Sequence, residues 1–94
     1  MQPEQVADLL SQLGGGWEVT ADHRLEREVR FRNFAEALQF ANQIGAVAER
    51  EGHHPELLVG WGRVRVSLWT HAVSALTEND FVLAAKVDAL SGQR

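Results

Sequence analysis

Cysteine is missing from this chain of 94 residues. Its absence excludes disulfides, thiolate metal sites and a thiol nucleophile, and suits a reducing compartment without requiring one. Long apolar runs are missing as well: nothing approaches the roughly 20 residues that cross a bilayer. The opening stretch MQPEQVADLLSQLG lacks the basic flank and apolar centre of a secretory signal. A cytoplasmic protein with no membrane attachment is the expectation. Positive charge is scarce, because nine cations stand against thirteen anions for a net charge of −4. That balance argues against direct nucleic-acid binding, which relies on several phosphate-neutralising side chains. Eight of the nine cations are arginine, and Arg30, Arg32, Arg63 and Arg65 fall in two strand candidates, which leaves room for a local basic patch. No linker, repeat or low-complexity stretch interrupts the chain. Residues 1–94 therefore read as one domain, and 45% apolar content is ordinary for a single modest core.

What is present alternates between helical and strand-like periods. Pro3 to Leu13 reads as a helix, with Val6, Leu9, Leu10 and Leu13 at helical spacing and Gly14-Gly15-Gly16 as its stop. Trp17 to Thr20 reads as a short strand and Ala21-Asp22-His23 as a turn. Leu25, Arg27, Val29 and Phe31 then alternate with Glu26, Glu28, Arg30 and Arg32, giving one largely apolar and one charged face. Asn33 followed by Glu36 is a capping-box start for a helix lined by Phe34, Ala37, Leu38, Ala41, Ile44, Val47 and Ala48 and ending near Gly52. Leu57 to Trp61 and Arg63 to Thr70 form a hairpin around Trp61-Gly62, with Val64, Val66 and Leu68 on one face. Thr77 with Asp80 starts a last helix carrying Phe81, Ala84, Val87 and Leu90. The fold class is α+β: a four-stranded antiparallel sheet with three helices on one face, in the order α-β-β-α-β-β-α. Its bare edge strands call for a cover or a second subunit.

The four histidines are the candidate chemistry. His23 sits in a turn and reads as a solvated loop residue. His53 and His54 stand side by side before Pro55, between a helix and a strand. Adjacent side chains reach one ligand only where the backbone bends, and a proline makes a bend there plausible. The pair also has a purely structural reading, since cationic side chains favour a helix C-terminus. In the functional reading both rings turn toward a pocket and His71 arrives from the neighbouring strand. Imidazoles then supply proton donors and acceptors at neutral pH. A three-histidine metal site is the rival, but the HExxH spacing that aims two rings at one ion is absent. Ser67 and Ser74 lack a nucleophile-elbow context. Asp80 reads as a capping carboxylate at the start of the last helix. Trp61 and Trp69 read either as packing residues of the hairpin or as walls for an aromatic ligand.

Taken together, Glu49, three residues, His53-His54-Pro55, five residues, Trp61, nine residues, His71, eight residues and Asp80 resemble the spaced signature of the pterin-4a-carbinolamine dehydratases. The stretches FRNFAEALQFANQIGAVAEREGHHPEL and VRVSLWTHAVSALTENDFVLAAKVD and the Gly16-Trp17 pair extend the resemblance over about residues 16 to 88. It implies a hydro-lyase that removes water from 4a-hydroxytetrahydropterin to give quinonoid dihydropterin, recycling the cofactor of aromatic amino-acid hydroxylases. No metal or cofactor is implied. His53 and His71 would be the acid/base pair, and His54 would orient the substrate and assist proton transfer. Glu49, Gly52, Trp61, Trp69, Thr70 and Asp80 would belong to the substrate-binding surroundings. Gly52, Leu57, Trp61 and Trp69 depart from residues common in the family at those places, changes that bear on pterin affinity and on the pocket mouth. The resemblance further implies homodimers or homotetramers with sheets joined across subunits, and a hydroxylase as a possible partner. Two other functions share the fold: a non-catalytic dimerisation or protein-interaction module, and a pterin-binding role in molybdopterin metabolism.

Overall fold

Residues 1–92 are described by a computed structural model of the chain. Each helix begins where a side chain takes up free N–H groups of the first turn. In α1 (Pro3–Ser11), proline occupies the start, where no N–H is needed, and Gln5 reaches back to the Gln2 N–H at 2.9 Å. In α2 (Phe34–Glu51), the Asn33 side chain accepts from the Glu36 N–H at 2.9 Å. The Glu36 carboxylate reaches one residue further back than a reciprocal cap requires, accepting from the Arg32 N–H at 3.2 Å and pairing with the Arg32 guanidinium at 2.6 Å. In α3 (Glu78–Ser91), the Thr77 N–H donates to the Asp80 carboxylate at 2.9 Å.

The strands β1 (Glu18–Val19), β2 (Leu25–Arg30), β3 (Glu56–Gly60) and β4 (Arg63–Leu68) form one antiparallel sheet in the order β1–β2–β4–β3. The register sets Leu25 opposite Leu68, Val29 opposite Val64 and Leu57 opposite Val66. Side chains alternate across a strand, so these residues all face the helices. Leu25, Val64, Val66 and Leu68 are fully buried there against Phe40, Ile44, Leu83 and Val87, while Val6, Leu9 and Leu10 of α1 pack at the margin. Each fully buried Leu, Ile or Phe contributes about 1.5–3 kcal/mol. Gly62, in the β3–β4 turn, lies so close to β2 that an added methyl would sit 2.9 Å from the Phe31 carbonyl oxygen.

The expected element order and sheet are present, with local corrections. The buried stripe of α2 is Ala37, Phe40, Ala41, Ile44, Val47 and Ala48; Phe34 and Leu38 stand outside it, nearly half exposed. Leu38 is one residue, or about 100° of helix, away from the stripe that Ala37 and Ala41 define. β4 ends at Leu68 rather than Thr70, because the Thr70 N–H and carbonyl turn to pair with Ala75 instead. The arginines that the sequence offers as a basic patch share two carboxylates, Glu28 and Glu36, which offset two of their four charges. Arg30, Arg63 and Arg65 converge on Glu28 at 2.6, 3.3 and 3.5 Å, and Arg32 pairs with Glu36. Among the described residues, no helix is long and apolar enough to cross a membrane.

Candidate active site

The bend that the His53-His54-Pro55 stretch requires is made by Gly52. This residue closes α2 in the left-handed conformation, φ +64, where a side chain would be strained. Its own N–H and that of His53, at 3.2 Å, both turn back to the Ala48 carbonyl, which caps the last helical turn and reverses the chain. Gly52 therefore shapes the backbone that carries the histidines, and Pro55 follows as the lead into β3.

His53 emerges from this turn half-buried, and its Nε2 lies 2.5 Å from Oδ1 of Asp80. The Asp80 carboxylate is fully buried and accepts two further bonds on Oδ2, from the Thr70 hydroxyl at 3.0 Å and the Thr77 N–H at 2.9 Å. The hydroxyls of Thr70 and Thr77 are themselves 2.7 Å apart. Because the single Thr70 hydroxyl proton goes to the carboxylate, Thr77 is the donor in that pair. An ionised carboxylate accepts only, so Nε2 of His53 carries a proton and Nδ1 is left to exchange one. Three donors compensate the burial of the Asp80 charge, which otherwise would cost several kcal/mol.

The same network reaches His71. Thr70 pairs with Ala75 through backbone bonds of 2.9 and 3.4 Å, closing a short loop that carries His71 and turns through Ser74 in the left-handed region, φ +49. Asp80 thus ties the histidine turn after α2 to the root of the His71 loop. The exposed imidazole of His71 stacks on Trp69, with ring centroids 4.4 Å apart and planes 27° from parallel. His54 points elsewhere: it is exposed and its Nε2 pairs with the Glu49 carboxylate one turn back on α2.

The expected site residues are therefore distributed unequally. His53, Thr70 and Asp80 form one bonded group, Trp69 and His71 a stacked pair beside it, and Glu49 with His54 a surface pair. Trp61 lies apart from these groups: it is 72% exposed in the β3–β4 turn, the opposite end of the hairpin from His53 and His71. Five residues of strand, roughly 16 Å, separate it from the start of β3. The Asp80 oxygens are engaged by His53, Thr70 and Thr77. Thr77 is a member the sequence reading gave only a capping role. Among the described residues, no three His, Asp or Glu side chains are placed to hold a metal ion. A cavity of about 460 Å³ lies at the other end of α2, lined by Phe31, Phe40, Gln43 and Leu90 among others, and a smaller one of about 210 Å³ involves Arg27, Glu28 and Arg65. None of the histidines lines either cavity.

The family model for pterin 4 alpha carbinolamine dehydratase matches residues 1–90. The chain belongs to this family. A relative from Alkaliphilus metalliredigens, provisionally named a pterin-4-alpha-carbinolamine dehydratase, is 50% identical over 88 residues, covering 94% of this chain and 79% of the relative. Among solved structures, a transcriptional coactivator/pterin dehydratase from Brucella melitensis superposes with a TM-score of 0.91 at 31% identity, over 98% of each chain. A pterin dehydratase-like protein identified as a RuBisCO assembly factor in the alpha-carboxysome is similar at a TM-score of 0.69 and 26% identity, over 82% of this chain and 90% of that one.

Proposed function

We propose that this chain dehydrates a 4a-hydroxytetrahydropterin to the quinonoid dihydropterin, with His53 and His71 as its acid/base pair. The observation that carries this reading is the His53–Asp80–Thr70 group, which fixes one imidazole and joins it to the loop of the other. The reaction breaks the C4a–O bond, forms a C=N bond at the neighbouring ring nitrogen, and releases hydroxide plus a proton as water. No electrons are transferred, so the protein's task is to protonate the leaving oxygen and accept the ring N–H proton. Nδ1 of His53 is free for one of these transfers. His54 lies outside this group, paired with Glu49 on the surface. The family membership and the names of its relatives support the same substrate class. The test is to generate the 4a-carbinolamine and follow quinonoid dihydropterin in its presence. Acceleration over buffer is expected, and a rate equal to buffer would refute the reading.

A second reading, an assembly surface, is favoured by the free edge of β3. Leu58 is half exposed on that strand and Trp61 stands out at its end. An edge strand with exposed apolar side chains is suited to pairing with another chain, a second copy being the simplest. Light scattering on the purified chain tests it, with a dimer or tetramer mass expected and a monomer at high concentration contradicting it.

A further inference from the structure

His71 is held differently from the other two histidines. His53 and His54 each have a carboxylate on Nε2, whereas among the described residues the His71 ring has a stacking contact and no hydrogen bond. An exposed imidazole on a loop needs some such restraint if it is to meet a reacting atom in one orientation.

The restraint has a second layer. The guanidinium carbon of Arg24 sits 3.9 Å from the Trp69 ring centroid. Continuing the β2–β4 register by one residue past Leu25 and Leu68 places Arg24 opposite Trp69, so the contact follows from strand pairing. Arg24 is itself fixed by Asp22 at 3.2 Å and Glu56 at 3.7 Å. Asp22 is in turn bonded by the Thr20 hydroxyl, which is the main reason its carboxyl lies below the ordinary value, with Arg24 contributing less. A cation held over an indole fixes the plane of that ring, and a fixed aromatic plane is a template for a stacked imidazole.

We propose that Arg24 and Trp69 are positioning residues for His71: the arginine-clamped indole sets the plane of the imidazole and so directs its proton transfer. This rests on the dehydratase reading and adds to it a residue, Arg24, that lies outside the spaced signature.

The test compares Trp69→Phe, Trp69→Leu and Arg24→Gln with the wild type by steady-state kinetics and by NMR of the His71 ring protons in the protein without pterin. Stacking on an indole moves those protons upfield. The shift is expected in the wild type, reduced in Arg24→Gln and lost in Trp69→Leu. Trp69→Leu is expected to lower kcat about tenfold while KM moves by less than about threefold, with partial rescue in Trp69→Phe and a smaller loss in Arg24→Gln. Should Trp69→Leu fail to fold, the wild-type shift and the partly exposed Arg24→Gln decide. Unshifted His71 protons, or a kcat unaffected by these changes in an active enzyme, would overturn the positioning role and leave the dehydratase reading standing. A wild type without dehydratase activity would overturn both.

Discussion

The Asp80 carboxylate receives His53, Thr70 and the Thr77 N–H on two oxygens, so its charge selects which imidazole nitrogen of His53 carries a proton. Asp80→Asn keeps the shape but offers an amide that also donates. The expected outcome is a kcat lower by about 10²-fold with the fold retained, read by steady-state kinetics beside circular dichroism. At Gly52 the left-handed backbone is the constraint, and Gly52→Ala is expected to cost about 1 kcal/mol in urea unfolding. Both residues illustrate what a sequence discloses. Thr77 and Asp80 are three apart, so their capping contact was legible. The bond from Asp80 to His53 spans 27 positions, and no local pattern carries it. Trp61 belongs to the spaced signature, yet the hairpin holds it at the far end from His53 and His71.

Helices and strands were legible because their periods and caps are local. The α2 stripe was read with Leu38 in place of Phe40, since both are apolar and only the neighbours decide which side is inward. The attachment of α1 was legible only in part: Val6, Leu9, Leu10 and Leu13 recur at helical spacing and pack on the core, but the fastening beyond them carries no local pattern. Its residues are exposed or half-buried, and the loop after it is fastened by Asp88 of α3, which accepts from the Gly14 N–H at 2.8 Å, from Trp17 Nε1 at 2.8 Å and from the Arg27 guanidinium. Arg27 lies on the helix-facing side of β2, where the alternation pattern had placed it without showing what it pairs with. Asp88→Asn is expected to cost about 1–3 kcal/mol, because it weakens three donors' shared acceptor. Hydrogen exchange should locate the loss: faster exchange in α1 and at the Trp17 indole, with little change in β4. Uniform exchange across the chain would argue that Asp88 does not fasten this segment.

In the molecule as a whole, one face of the sheet is covered by helices and the other presents Glu26, Glu28, Arg63, Arg65 and Ser67 in mutual ion pairs and hydrogen bonds. Such exposed pairs contribute little stability individually. β3 is an edge strand of the sheet, and its Leu58 is half exposed. Leu58→Lys is expected to lower the mass measured by light scattering if that edge is an interface, since lysine on an edge strand opposes strand addition. An unchanged oligomer would place the interface elsewhere.

His53 and His71 are proposed to move the protons of a pterin dehydration together. The most direct measurement is quinonoid dihydropterin formation from the 4a-carbinolamine by His53→Gln, His71→Gln and the double variant, each checked for folding. A loss of about 10²-fold or more is expected for each single change, with a double variant little worse than the poorer single one, as for groups acting in one step. Wild-type turnover by the folded double variant would rule the pair out.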